Sequence, residues 1–286
     1  CTVPQSRAPF DFDGDGKTDL SLVDLNDAGP DYKIIRSSDS SLQTALWGAS
    51  GDIPSNADFD GDGKTDLAVF RPSTGAWYIL PSSNAALVLV NFGLAGDRVI
   101  PADFDGDGKA DIAVFRPSNG LWYVLRSGTG QVSIYRFGLA GDVPLQGDFD
   151  GDSKADFAVY RPSDGTWYIA KSSDGEFIIT HFGLSTDKPV PGDFDGDGKT
   201  DIAVFRASTG IWYLLKSTQG FAAIAFGSNG DMPLQADFDG DGKRDISVFR
   251  ASTNIWWRLN SSDGNASAQA FGNGGDMPVP SIFIAP

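Results

Sequence analysis

The chain has 286 residues, of which 41% are hydrophobic and 12% aromatic, and its formal net charge at pH 7 is −16. This leaves ample material for a buried core. No apolar run is long enough for a transmembrane helix, no signal peptide is retained, and the acidity argues against nucleic acid as a partner. Glu176 is the only glutamate, so the charge is carried by aspartate, a poor helix former and a good short-armed oxygen ligand. Cys1 is the only cysteine, which excludes an internal disulfide and leaves either a lipidated mature N-terminus or a fragment boundary.

Taken in order, the chain repeats itself. A lead-in, Ala8-Pro9-Phe10, enters a glycine-rich acidic loop with Asp11, Asp13, Asp15, Lys17 and Asp19 at positions 1, 3, 5, 7 and 9. The loop recurs as Asp58, Asp60, Asp62, Lys64 and Asp66, then as Asp103, Asp105, Asp107, Lys109 and Asp111. It recurs again as Asp148, Asp150, Asp152, Lys154 and Asp156, as Asp193, Asp195, Asp197, Lys199 and Asp201, and as Asp237, Asp239, Asp241, Lys243 and Asp245. Successive loops begin 47, 45, 45, 45 and 44 residues apart, the period of one four-stranded propeller blade.

Within the third unit, 111–116 alternates Ile112 and Val114 with Ala113 and Phe115, a strand with two apolar faces. Pro117-Ser118-Asn119-Gly120 is a turn, Leu121–Leu125 a second strand, Ser127-Gly128-Thr129-Gly130 another turn and 132–137 a third strand. A short lead-in before each loop completes four strands per unit, and no helical period occurs. An aromatic pair recurs from Trp77-Tyr78 to Trp256-Trp257, an aromatic–glycine step from Trp47-Gly48 to Phe271-Gly272, and an arginine at 71, 116, 161, 206 and 250. The first unit departs, with Tyr32-Lys33 for the pair and Asp24 for the arginine, as terminal repeats do. After Gly275-Asp276 the lead-in resumes as Met277-Pro278-Val279-Pro280-Ser281-Ile282-Phe283 without aspartates, a closing strand over 277–286 that competes with Ala8–Phe12 for one slot.

Carboxylates at positions 1, 3, 5 and 9 of a loop that curls on glycine are hard-oxygen ligands at calcium spacing. Position 7 would turn its carbonyl inward. Magnesium calls for a tighter, more hydrated octahedron, and transition metals call for His or Cys, which the loops lack. Position 12 is Val69 or Val114 and not a bidentate glutamate, so the loop is no EF-hand. About six divalent ions would bring the net charge of −16 to about −4. Ser153 replaces the position-6 glycine of the fourth loop, at a cost in backbone strain but with every ligand kept.

Phe92-Gly93, the Gly96-Asp97 step, the loop Asp103–Asp111 and the strand Ile112–Phe115 resemble the FG-GAP repeat and its bacterial VCBS-like relatives, over nearly the whole chain. The resemblance implies an all-β fold, a β-propeller with calcium-bearing hairpin loops as in integrin α heads. Those heads have seven blades; six complete motif sets here imply six four-stranded blades in a single domain, residues 1–286. Members are typically exported, often bacterial, adhesion or interaction modules, and the motif carries no catalytic set. His181, the only histidine, stands where sister strands carry Leu46, Asn91, Arg136, Ala225 and Ala270, and reads as a strand-edge residue. The expectation is a secreted or cell-surface, non-enzymatic, calcium-binding propeller that binds protein. Two alternatives are a lectin built on the recurring Arg and Trp-Tyr sets, and a fibre subunit assembled by terminal strand exchange.

Overall fold

A computed structural model of the chain describes residues 8–26 and 29–281; Cys1 and the 282–286 end of the closing segment lie outside the described residues. The fold is all-β and of the six-bladed β-propeller class, with six four-stranded antiparallel sheets. The first blade takes β1 (Leu20–Asn26), β2 (Gly29–Ile35) and β3 (Leu42–Leu46). The second is β4 (Ile53–Pro54), β5 (Leu67–Arg71), β6 (Ala76–Leu80) and β7 (Val88–Asn91). The third is β8 (Arg98–Val99), β9 (Ile112–Arg116), β10 (Leu121–Leu125) and β11 (Val132–Arg136). The fourth is β12 (Val143–Leu145), β13 (Phe157–Arg161), β14 (Thr166–Ala170) and β15 (Phe177–His181). The fifth is β16 (Lys188–Pro189), β17 (Ile202–Arg206), β18 (Ile211–Lys216) and β19 (Gly220–Ala225), and the sixth β20 (Met232–Pro233), β21 (Ile246–Arg250), β22 (Ile255–Leu259) and β23 (Ala266–Ala270). A last strand, β24 (Met277–Pro278), precedes a 3₁₀ turn at Val279–Ser281.

The third blade shows why these residues form these strands. On β9, Ala113, Val114 and Phe115 are fully buried, because both faces of the sheet are covered. On β10 only alternate residues, Trp122 and Val124, turn fully inward, and on β11 Val132 and Ile134 face solvent. The pairing Trp122↔Phe115 and Trp122↔Tyr135 centres the indole on its sheet. It meets Phe115 at 5.5 Å and Phe157 of the following blade at 5.4 Å, and its Nε1–H donates to the Phe137 carbonyl at 2.8 Å. Trp77, Trp167, Trp212 and Trp256 repeat the arrangement, each donating to the aromatic residue of its Phe-Gly step. The recurring tryptophan is therefore a core residue whose one polar atom is satisfied.

The two ends of the chain share the slot for which they compete in sequence. β24 is the first strand of the first blade, pairing Leu22↔Pro278 and Val23↔Met277. The N-terminal lead-in instead holds the first acidic loop, with the Asp19 N–H on the Phe10 carbonyl at 3.0 Å and Thr18 Oγ1 on the Pro9 carbonyl at 2.7 Å. The described residues divide into two compact units. One contains the chain up to Asp24, Tyr32–Thr44 and everything from Thr186, and the other contains Leu25–Asp31 and Ala45–Ser185. In the first unit a core of Val190, Phe205, Trp212 and Val248 joins the fifth blade to the sixth, and Leu22, Leu234 and Phe249 join the sixth to the first. In the second, Ile100, Phe115, Trp122 and Val159 join the third blade to the fourth.

Ser153 has φ +69°, a left-handed conformation that the sister loops give to glycine. Its N–H still donates to Asp148 at 2.7 Å, so the loop closes at the expense of the backbone. Ser153→Gly is expected to stabilise the protein by about 0.5–1 kcal/mol, read as a higher denaturation midpoint at unchanged slope.

Candidate metal centres

The second to sixth acidic loops each join the first strand of a blade to the second, the first loop leads into β1 from the N-terminal side, and the six share one hydrogen-bond scheme. The position-1 carboxylate accepts from the N–H groups of positions 4 and 6: Asp103 from Gly106 at 2.6 Å and Gly108 at 2.8 Å, Asp193 from Gly196 at 2.6 Å and Gly198 at 2.8 Å. This curls the chain and needs positive φ at both residues, +81° at Gly106 and +86° at Gly108. The position-9 carboxylate spans two elements: Asp66 accepts from the Phe59 N–H at 2.8 Å and the Ser82 N–H at 2.7 Å.

The carboxylates converge. Asp11, Asp13 and Asp15 place one oxygen each within 4.8 Å of one another, as do Asp58, Asp60 and Asp62, and Asp103, Asp105 and Asp107. Asp193, Asp195 and Asp197 do so in the fifth loop, and in the fourth the converging group is Asp148, Asp150 and Asp156, positions 1, 3 and 9. Oxygens around one calcium ion at about 2.3–2.6 Å from the metal lie at such mutual distances.

The donor set fits a cation in two further respects. Asp195 is 8% exposed and its Oδ1 has no hydrogen-bond partner, and Asp105 Oδ1 is likewise buried without one. A buried carboxylate oxygen with nothing to accept is costly unless a positive charge meets it. Burial also pushes Asp19, Asp66, Asp156, Asp201 and Asp245 up to about 6, with the neighbouring carboxylates of the loop adding to the effect. The same desolvation raises Asp11, Asp148 and Asp237.

Two features of the sites are not evident from the acidic motif alone. A hydroxyl pair in the next hairpin turn closes over five of the six loops, the third having Ser127 Oγ and the Gly128 N–H instead: Ser82 Oγ donates to Asp62 and Ser83 Oγ to Asp60, both at 2.6 Å. Ser172 and Ser173 do the same for Asp152 and Asp150, and Ser217 and Thr218 for Asp197 and Asp195. The signal was present in the sequence as a serine 16 residues after the position-9 aspartate in the second to sixth loops and 18 residues after it in the first, Ser37 after Asp19. The position-7 lysine, expected to contribute its carbonyl, also lies with its side chain on the neighbouring loop. Lys109 packs over Gly61, Lys154 over Gly106, Lys243 over Gly196 and Lys17 over Gly240. The position-8 N–H ties the same neighbours, Ala110 to the Asp58 carbonyl at 2.7 Å and Ala155 to that of Asp103 at 2.6 Å.

The recurring arginines are anchored elsewhere. Arg71, Arg116, Arg161, Arg206 and Arg250 each make a two-pronged pair at 2.7–2.8 Å with the buried aspartate of the preceding step: Asp52, Asp97, Asp142, Asp187 and Asp231. Arg71, Arg116, Arg161 and Arg206 also stack on Tyr78, Tyr123, Tyr168 and Tyr213 at 4.2–4.5 Å. The first blade lacks the arginine, and there Lys33 reaches Asp276 at 3.1 Å from the position of the tyrosine. His181 is exposed at the end of β15.

Residues 58–114 and 148–204 match the FG-GAP-like repeat, and residues 95–135 match the FG-GAP repeat. No curated protein sequence matches. Similar solved structures include virginiamycin B lyase from Staphylococcus aureus, 8% identical with TM-score 0.58 over 91% of this chain and 87% of that one. A lectin of Agrocybe aegerita that recognises non-reducing terminal N-acetylglucosamine is 21% identical, with TM-score 0.58 over 88% and 76%. AztD of Citrobacter koseri is 12% identical, with TM-score 0.52 over 90% and 83%. A lyase and a lectin on one architecture show that these likenesses establish the fold alone.

Proposed function

For a chain that carries FG-GAP repeats, we propose the role of a calcium-stabilised interaction propeller acting outside the cell, without catalysis of its own. The observation that carries this reading is the buried, unpartnered Asp195 Oδ1 within a converging carboxylate group. Carboxylates at positions 1, 3, 5 and 9 and the position-7 carbonyl would hold each ion. Such an ion supplies charge compensation and ties the loop to the hairpin turn whose hydroxyls already reach it. Loops of this kind with affinities of about 10⁻⁴–10⁻³ M suit extracellular calcium. Among the described residues no helix is long and apolar enough to cross a membrane. Elemental analysis after dialysis against calcium tests the reading: several calcium equivalents per chain are expected, and none would overturn it.

A second reading, glycan binding, is favoured by one place. Phe226, Gly227, Val248, Arg250 and Trp257 line a pocket of about 110 Å³ between the fifth and sixth blades. Here a tryptophan replaces the tyrosine of the sister blades, and an arginine beside an indole suits a sugar face. The Agrocybe lectin shares the fold and binds a sugar. A glycan array run with the protein and with Trp257→Ala decides: binding lost in the variant supports this reading, and no binding by either rejects it. In the fibre reading β24 would pair with another chain, but it lies on β1 of its own chain. Light scattering is therefore expected to show a monomer.

A further inference from the structure

The six loops are alike in their carboxylates and unlike in the charges packed around them. Position 8 is Thr18, Thr65, Ala110, Ala155 and Thr200 in five loops, and Arg244 in the sixth. A second arginine enters the same blade. The inward position of the middle strand is the buried Ile79, Val124, Ile169 and Leu214 in the second to fifth blades, and Arg258 in the sixth. Arg244 Nη1 and Arg258 Nε are buried and have no hydrogen-bond partner. The charges that act on these guanidiniums are loop carboxylates, Asp237, Asp193 and Asp245 on Arg244 and Asp245 on Arg258. Arg258 also lies over the Phe238 ring at 5.2 Å and donates to Gln269 at 3.3 Å, so it is fixed beside the loop.

Room has been made for Arg244. A methyl group on Gly192 would meet Arg244 Cγ at 2.6 Å, and Gly192 does not have the positive φ that would call for glycine on backbone grounds. The equivalent residues are Ala57, Ala102 and Ala236 in three sister units and Gly147 in a fourth, where the facing position 8 is Thr200. Two guanidiniums bring the same charge as one divalent cation.

Resting on the calcium reading above, we propose that the sixth loop, Asp237–Asp245, is the low-affinity member of the set, with Arg244 and Arg258 supplying as fixed charge what the other loops take from a bound ion. The sixth loop is also the one that receives the N-terminal loop, with the Thr18 N–H on the Asp237 carbonyl at 2.7 Å and the Asp237 N–H on Thr18 Oγ1 at 2.9 Å. A loop compensated in advance keeps this junction in place when calcium is scarce. The fifth loop, which faces Arg244 through Asp193 alone, is affected less.

Calorimetric titration of calcium into chelator-stripped protein tests the proposal. One equivalent on the order of tenfold weaker than the rest is expected. In R244T/R258L, which takes sister-loop residues, the weak equivalent should join the others. In A57G/A110R, which builds the same pocket and arginine into the third loop, a further weak equivalent should appear. Equivalents of one affinity in the unaltered protein, or a weak equivalent that persists in R244T/R258L, would overturn the proposal and leave the calcium reading standing. Should R244T/R258L fail to fold, A57G/A110R decides by itself: no new weak equivalent overturns the proposal. No heat from any of the three proteins would sink the calcium reading, and the proposal with it.

Discussion

Removing calcium with EGTA is expected to lower the melting temperature by roughly 10 °C or more, with calcium restoring it. A single loop held at 100 times its dissociation constant contributes about 2.7 kcal/mol, and each kcal/mol moves the midpoint of a chain of this size by about 2–4 °C. One loop thus supplies about 5–10 °C, and several loops supply more. The pH dependence should invert between the two conditions. In the calcium-free protein burial raises Asp19, Asp66, Asp156, Asp201 and Asp245 from 3.8 to about 6. Between about pH 4 and 6 the folded state therefore holds more protons than the unfolded chain, and stability falls as pH rises through that window. With EGTA the protein should melt higher at pH 5 than at pH 7.5. With calcium, protons compete with the ion for the same carboxylates, and the protein should melt lower at pH 5 than at pH 7.5. Thermal melts at the two pH values in both buffers check this, and parallel trends would mean that the loops do not exchange protons for cations.

The periodic part of the molecule was legible because one side-chain pattern serves each structural task six times. The runs 111–116, 121–125 and 132–137 coincide with β9, β10 and β11 to within one residue at each end. The acidic motif was legible because its carboxylates recur at fixed positions of one short glycine-rich loop. What stayed hidden was what the repeats do to one another. Position 7 reads locally as a lysine whose carbonyl matters, and only the packing of Lys109 on Gly61 shows why a long aliphatic stem recurs there. The Ser82-Ser83 turn lies 16 residues beyond the motif, across a hairpin whose register the acidic loop does not reveal. Lys33 standing in for the missing arginine of the first blade is a compensation in space, since Asp276 is 243 residues away.

Pairs such as Arg116 and Asp97 are expected to matter more for stability than any exposed charge on the molecule. Asp97 is 4% exposed and accepts from Arg116 Nε at 2.7 Å, Arg116 Nη2 at 2.8 Å and the Leu94 N–H at 2.9 Å. Asp97→Ala strands all three donors and should cost about 3 kcal/mol in chemical denaturation. Arg116→Met leaves the buried carboxylate with a single N–H and should cost a similar amount. D97A/R116M leaves neither charge stranded, so its cost should fall well short of the sum. Arg116→Lys keeps the charge but loses the second prong and the stacking on Tyr123 at 4.3 Å, and should cost about 1 kcal/mol. The same series separates the two readings of the arginines. If they serve the fold, R116M lowers stability whether or not a sugar is present. If they serve a glycan, R116M abolishes sugar binding while the denaturation midpoint stays where it was.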